Sequence, residues 1–237
     1  MINFLENSRL IFFALSLLIL SSCQKSELED IKNAQLCLNK AAPSQAQACV
    51  AKIASDNSPQ ANQLKCAAYF IEEGYGSPTA LIDAIAEAEN NDPTCVNCAD
   101  SVQIISVLAF TNTTQANNAF NVCNASKVTI YTLLSSLVQV ATLAKNLNPA
   151  ASTPAEYAIA IHLLNNTDIG QIVTTTYQNS CVVQSSNEAL KDYCTVLSDA
   201  ISAGSVDNIG ACFKYKLTNG GTPTGGIQAP PPNCPTN

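Results

Sequence analysis

The sequence predicts an all-α fold, either an irregular disulfide-stapled helical bundle or a short array of helix pairs, with a disordered Gly/Pro-rich C-terminal tail. Helix start signals recur along the chain, and apolar residues follow them at the three- and four-residue spacing of a helix. No Asn-Gly hairpin turn stands between alternating strands. The eleven cysteines supply material for disulfides.

The first two predicted helices form a helix–turn–helix. Ser26 and Glu29 have the spacing of a capping box, in which each side chain bonds the other residue's backbone N–H. The apolar residues that follow at helical spacing are Leu28, Ile31, Leu36 and Cys37. Ser44 can cap the second, short helix, whose apolar residues are Cys49, Val50 and Ile53.

The dipeptides Ser58-Pro59 and Ser77-Pro78 predict two more helix starts. Each offers a serine N-cap with proline at the first helical position. The apolar stripe after Ser58 consists of Leu64, Ala67, Ala68 and Ile71, and Gly74 ends that helix. The residues that face inward after Ser77 are Leu81, Ile82 and Ile85.

The two Ser-Pro starts lie about 19 residues apart, which sets the pitch of one helix plus its turn. Over residues 26–90 this pitch is similar to that of tetratricopeptide and Sel1-like proteins, whose helix pairs stack into solenoids. The tetratricopeptide Trp, Leu-Gly, Tyr and closing Pro are not found in register. The irregular disulfide-stapled domain is therefore favoured over a regular repeat array.

Residues 128–144 are interpreted as a central buried helix. They carry no charge and lie between Lys127 and Lys145. At about 1.5 Å per residue they would reach about 26 Å, just short of the hydrocarbon thickness of a bilayer. Their Ser, Thr and Gln side chains would need hydrogen-bond partners inside a membrane. A membrane-inserting helix is the alternative.

Two further helix starts follow in the C-terminal half. Thr153-Pro154-Ala155-Glu156 combines proline at the first position with a capping box. Residues 172–176 are β-branched, but a lone strand has no partner, so we expect helix or loop there. Ser185 with Glu188 opens the last predicted helix. We place five glycines at helix ends or turns: Gly74, Gly76, Gly170, Gly204 and Gly210.

The chain divides into three parts, residues 1–22, 23–217 and 218–237. The last part is rich in Gly and Pro and cannot build a core of its own. A disulfide from Cys234, for which Cys212 is a suitable partner, can tie this tail back to the helical domain. Without that bond we expect a flexible end.

Leu20-Ser21-Ser22-Cys23 follows an apolar run that begins at Leu10 and is too short to span a membrane. The tetrapeptide resembles the lipobox of bacterial lipoproteins. That resemblance implies a signal peptide over residues 1–22 and acylation of Cys23, as in palmitate-carrying proteins, with the membrane bound through the N-terminal lipid. Gln24 is not the Asp that retains such proteins at the inner membrane, which favours the outer membrane. An ordinary secretory signal is the alternative.

An even number of cysteines is left once Cys23 is set aside, as a disulfide framework in an exported protein requires. These disulfide candidates are Cys37, Cys49, Cys66, Cys95, Cys98, Cys123, Cys181, Cys194, Cys212 and Cys234. The best local pairs are Cys37 with Cys49 and Cys181 with Cys194, because each closes a loop of helix–turn–helix length. The sequence leaves the remaining connectivity open.

The Cys95-Val96-Asn97-Cys98 motif is the strongest candidate for chemistry. A Cys-x-x-Cys pair at a helix start can exchange disulfides. However, no βαβ pattern surrounds it, position 99 is not the His of a haem attachment site, and a second pair of zinc ligands is missing. We therefore favour bridges from Cys95 and Cys98 to two other helices, such as those that hold Cys66 and Cys123.

The remaining candidate residues predict no enzyme. His162 lies in a strongly apolar helix without a nucleophile motif nearby, so we interpret it as a packed or half-exposed structural residue. Glu72 and Glu73 diverge on a helix and do not form a carboxylate pair. No metal site, calcium loop or cofactor is predicted.

The charge of the chain argues against nucleic acid as a partner. The formal net charge is −7, and Arg9, in the predicted signal peptide, is the only arginine. Nucleic-acid binding needs cationic phosphate contacts and is not expected.

We expect a lipid-anchored, non-catalytic envelope protein that acts as an interaction or structural module on an envelope protein partner. The alternatives are a helical binding protein for an apolar small molecule or lipid and, less favoured, a thiol–disulfide oxidoreductase that uses Cys95 and Cys98.

Overall fold

The computed structural model describes residues 27–76, 102, 105, 107–182, 188–218 and 229–235. The regular secondary structure in these ranges is helical, and no β-strand occurs in them. The predicted all-α fold is therefore confirmed. The Ser77-Pro78 helix start and Ser185 lie outside the described residues, as do the lipobox and Ser26.

The helices follow one another through short connections. They are α1 (27–38), α2 (Ala46–Val50), α3 (Pro59–Glu72), α4 (Thr113–Ala125), α5 (Thr129–Leu147), α6 (Pro154–Leu163), α7 (Asn166–Thr176), α8 (Glu188–Ser202) and α9 (Val206–Leu217). Single 3-10 turns, Pro43–Gln45 and Ala51–Ile53, flank α2. A π-helical turn, Tyr177–Cys181, continues α7.

Helix α3 stands between two hydrophobic cores. Its Cys66 and Phe70 face the large core, built mainly by α4 to α9, whereas Ala61 and Ala68 face a small core with α1 and α2. The predicted stripe of α3 corresponds to the small-core side only. The opposite side, with Cys66 and Phe70, is equally buried, so α3 joins the two halves of the molecule.

The start and end of α3 are those predicted. The Ser58 hydroxyl accepts a hydrogen bond from Ala61 N at 3.2 Å, and Pro59 holds the first helical position. Gly74 ends the helix with φ +86°, a left-handed conformation that costs glycine little. The preceding helical segment differs from the predicted Ser44 cap, because the chain turns helical at Pro43 and no side chain caps that turn.

Helix α1 buries a narrower face than its sequence indicates. Ala34 and Leu38 are buried against the small core, but Leu28 is 70% exposed and Leu36 is 52% exposed. The helix packs on one side only, so the two leucines on its other side remain uncovered by the described residues. This corrects the predicted apolar stripe of α1.

Helix α5 is the central helix predicted from residues 128–144. Eleven of its residues are buried, and several are Ser or Thr. Ser135, Ser136 and Thr142 donate hydrogen bonds to carbonyls one turn earlier in the same helix, at 2.7–3.0 Å. No helix in the described ranges combines the length and the apolar character that a membrane crossing needs.

Helices α7 and α9 cross at two glycines. A Cβ added at Gly170 would overlap the carbonyl oxygen of Val206, and one added at Gly210 would overlap that of Asn166. These two glycines lie inside helices, not at ends or turns as predicted. They permit a backbone-to-backbone approach that any side chain would block.

Four disulfides join described cysteines. Cys37 pairs with Cys49, and Cys181 pairs with Cys194, which confirms both local predictions. Cys66 pairs with Cys123 and ties α3 to α4. The predicted bridges from Cys95 and Cys98 to the helices of Cys66 and Cys123 therefore cannot use these two cysteines. Cys95 and Cys98 themselves lie outside the described residues.

The fourth disulfide, Cys212–Cys234, attaches the described part of the tail to α9. Cys234 is only 7% exposed and belongs to the large core. Residues 229–235 are thus fixed to the domain, the first of the two predicted arrangements. Taken together, the disulfides indicate an oxidising, non-cytoplasmic location.

Candidate functional site

His162 lies at the C-terminal end of α6 and is half-buried, as predicted. Thr218 Oγ1 lies 3.0 Å from His162 Nε2 and 2.8 Å from the carbonyl oxygen of Lys214. Since the hydroxyl has one proton and the carbonyl can only accept, Nε2–H donates to Thr218. This hydrogen bond holds the imidazole ring against Thr218.

Lys214 closes the same end of α6. Its Nζ donates to the carbonyl oxygens of Leu164 at 2.6 Å and His162 at 3.1 Å. These carbonyls belong to the last turn of α6, where no later backbone N–H can satisfy them. Burial lowers the pKa of Lys214, and the Asp207 carboxylate partly opposes this. The ammonium group therefore caps the C-terminal end of α6, and two of its three N–H donors are used there.

Glu72 and Glu73, at the end of α3, are both partly buried. Glu73 Oε2 accepts hydrogen bonds from the backbone N and the hydroxyl of Thr111, at 2.8 and 2.7 Å. Two residues further along the chain, the Tyr75 hydroxyl donates a hydrogen bond to the Val107 carbonyl oxygen at 3.0 Å. Glu73 and Tyr75 thus fasten the end of α3 to residues 107–111. The described residues contain no cluster of three ligating side chains suited to a metal ion.

An open cleft, cleft A, lies between α2, α3 and α4 and has a volume of about 770 Å³. That volume is in the range of ligand pockets, about 300–1,000 Å³. Its polar lining is dominated by four carboxamides: Gln47, Asn57, Asn62 and Asn121. Its apolar lining comes from Tyr69 and from smaller residues, namely Val50, Ala51, Ala54, Val122 and Ala125.

The polar groups of cleft A are partly engaged by the protein. Asn62 Nδ2 donates to the Asn57 carbonyl at 3.1 Å, and Lys65 Nζ donates to the Asp56 carbonyl at 2.7 Å. Burial lowers the pKa of Lys65, with an opposing effect from Asp56. Gln47 Nε2 is buried and has no hydrogen-bond partner among the described residues. An unpaired buried amide costs free energy that a ligand could recover.

Cleft B lies between α4, α5 and α7 and has a volume of about 450 Å³. Carboxamides line it as well, namely Asn117, Asn121, Gln139 and Gln171. Gln139 Nε2 donates to Asn117 Oδ1 at 2.8 Å, while Gln139 Oε1 is buried and unpaired within the described part of the chain. Phe120, Leu143 and Ile172 supply the apolar lining.

Asn121 lines both clefts, so cleft A and cleft B are adjacent sides of α4. Asn117 and Asn121 are one helical turn apart, and both are exposed. From the sequence alone, neither asparagine is assigned to a site. The four-residue spacing of the α4 asparagines was the available signal, although the facing residues of α2, α5 and α7 could be identified only from the fold.

Cleft C, about 540 Å³, lies between α1 and α3, and both carboxamides (Gln35, Asn39 and Gln63) and apolar side chains line it. Leu38, Leu64 and Ile71 line it, together with Tyr131 from α5. Leu64 and Ile71 are the residues of the predicted α3 stripe. They are only half-buried, because cleft C opens beside them.

Comparison with known proteins gives no relative for this chain. No family model matches it, and neither the curated proteins nor the solved structures contain a significant match.

Proposed function

We propose that this protein is a lipid-anchored, non-catalytic module of a bacterial cell envelope that binds another envelope component. The observation that carries the proposal is the pair of clefts on either side of α4. In both, the polar part of the lining consists mainly of carboxamides, which donate and accept hydrogen bonds but do not titrate near neutral pH. Such groups suit recognition and are poor general acids or bases.

The disulfides support this assignment. They hold helices α3, α4 and α9 in place in a compartment where disulfides persist. Clefts A and B are built on rigid helices, and Cys66–Cys123 joins the two helices that form the walls of cleft A. A preformed cleft loses less conformational entropy when a partner binds.

The anchor is proposed to be Cys23, with the outer membrane as the favoured location. Only residues 24–26 separate Cys23 from the helical residue Glu27, so an acylated Cys23 would hold α1 beside the bilayer. The exposed Leu28 on α1 is consistent with a membrane-facing surface. Several acyl chains on one cysteine anchor a protein stably, whereas a single chain does not.

The anchor is tested by the intact mass of the membrane-extracted protein and by Cys23→Ser. We expect a chain that begins at Cys23 and carries acyl groups, and we expect C23S to leave the membrane fraction. Cross-linking in intact cells should recover an envelope component from the wild type. An unlipidated wild-type chain would refute the anchor, and a protein without any cross-linked component would refute the binding role.

Cleft C favours a second candidate function, the binding of an apolar small molecule or lipid. Its leucine and isoleucine lining is what such a ligand requires. Native mass spectrometry of the gently extracted protein should then show a bound small molecule that Leu64→Asn removes. A ligand-free mass in every preparation would exclude this function.

A further inference from the structure

We propose that clefts A and B together bind one neutral glycan chain that crosses α4 at Asn121. This inference rests on the binding role proposed above and names the ligand class. Asn121 lines both clefts, so a linear ligand can occupy one and continue into the other. From Asn117 in cleft B to Ala125 in cleft A, the α4 surface extends about 12 Å, since a helix rises about 1.5 Å per residue.

The charges around the clefts favour a neutral ligand. Cleft A is lined by Lys65 and Lys127, and cleft B by Asp168. The ammonium of Lys65 already donates to the carbonyl oxygens of Ala54 and Asp56. A polyanion would meet Asp168 in cleft B, and a polycation would meet the lysines in cleft A. A chain without charge fits both clefts.

The state of the carboxamides favours hydroxyl groups over peptide units. A peptide unit offers a donor and an acceptor, and a carboxamide with both of its ends free matches it best. Two of the cleft carboxamides already use one end, because the Nε2 of Gln139 and the Nδ2 of Asn62 each donate to the protein. A hydroxyl donates and accepts through a single oxygen, so it can pair with whichever end is left.

The unpaired atoms occur in both clefts. Within the ranges that the structure describes, Gln47 Nε2 in cleft A is a donor without an acceptor, and Gln139 Oε1 in cleft B is an acceptor without a donor. Sugar hydroxyls can satisfy either kind of atom. Small apolar residues also line cleft A, and side chains such as those of Ala51 and Ala125 can contact the C–H faces of sugar rings.

The test measures binding of neutral tetrasaccharides of glucose, mannose, galactose or N-acetylglucosamine to the full disulfide-intact chain, by saturation-transfer NMR and calorimetry. We expect at least one to bind, and its disaccharide to bind about tenfold or more weakly because it fills one cleft only. An uncharged decapeptide of Gly, Ser and Asn is the comparison ligand. Stronger binding of the decapeptide would overturn the glycan assignment in favour of an extended peptide.

The decisive variant is Asn121→Ala, with Asn118→Ala as its matched control. Both asparagines are exposed on α4, but Asn118 lines neither cleft A nor cleft B. Alanine is the better helix former, so both variants should keep the fold. We expect N121A to weaken tetrasaccharide binding about tenfold and N118A to leave it unchanged.

Equal affinities of N121A and N118A, or no binding of any tetrasaccharide at about 10 mM, would overturn the inference. The cross-linking experiment separates this failure from that of the proposed function. Recovery of an envelope component without glycan binding refutes the ligand class alone. Absence of both refutes the binding role as well.

Discussion

The Thr142 side chain explains how a polar residue fits the centre of the molecule. It is fully buried in α5, yet its hydroxyl donates to the Val138 carbonyl at 2.7 Å and accepts from the backbone N of Phe110 at 2.9 Å. The second bond reaches a different segment, 32 residues away. Ser135 is equally buried, but among the described residues its hydroxyl bonds just the Thr132 carbonyl of its own helix.

Thr142→Val should therefore destabilise the protein more than Ser135→Ala. The valine keeps the shape of threonine but leaves the Phe110 N–H unpaired in the core, at a cost of about 1–3 kcal/mol. The alanine removes a bond that its helix does not need, and we expect a loss of about 1 kcal/mol or less. Urea unfolding with disulfides intact measures both, and equal losses would contradict this role of Thr142.

Helix boundaries follow closely from local chemistry. Thr153 and Glu156 form the predicted capping box of α6, with Glu156 Oε2 accepting from Thr153 N at 3.0 Å, and backbone hydrogen bonds lower the pKa of Glu156. Ser58 and Gly74 delimit α3 as predicted. These signals can be identified from sequence because the donor, the acceptor and the backbone they serve lie within a few residues.

The role of each glycine cannot be predicted from the neighbouring sequence alone. Gly74 and Gly204 have positive φ at helix ends, as predicted, but Gly170 and Gly210 lie inside α7 and α9. Both uses require a missing side chain, one for backbone conformation and the other for close packing. Only the tertiary structure tells them apart. The same holds for Asn121, whose place between two clefts depends on helices distant in sequence.

Gly170→Ala should disrupt the crossing of α7 and α9. Its methyl group would meet the backbone carbonyl of Val206, which cannot move without shifting α9. Overpacking of this kind costs about 1–3 kcal/mol or more, although alanine favours a helix intrinsically. Thr167→Ala, at an exposed position of α7, is the control and should change the free energy of unfolding little. A stabilised G170A, measured by thermal unfolding, would show that the helices do not approach so closely.

The molecule as a whole is held together across α3. The Cys66–Cys123 bridge spans 57 residues, whereas Cys37–Cys49 spans 12. In the chain-entropy description, the longer loop contributes about 4 kcal/mol and the shorter about 3 kcal/mol. The longer bridge is also fully buried in the large core, while Cys37 is exposed.

Replacing Cys66 and Cys123 by alanine should therefore cost more stability than replacing Cys37 and Cys49. Loss of the long bridge adds a buried cavity to the entropic term, so we expect about 4–5 kcal/mol against about 3 kcal/mol or less. Denaturant unfolding of the two double variants measures the difference. A larger loss from the Cys37–Cys49 variant would mean that the small core, not the junction at α3, limits stability.

The connectivity of the bridges also bears on how the chain matures. Cys37–Cys49, Cys181–Cys194 and Cys212–Cys234 each join cysteines that are neighbours in sequence, so an oxidase acting on the emerging chain forms them in order. Cys66 is different, because Cys95 and Cys98 emerge before its partner Cys123. Cys66 must therefore stay reduced until Cys123 emerges, or exchange an earlier disulfide for the native one. We expect the bridge between α3 and α4 to depend most on a disulfide isomerase.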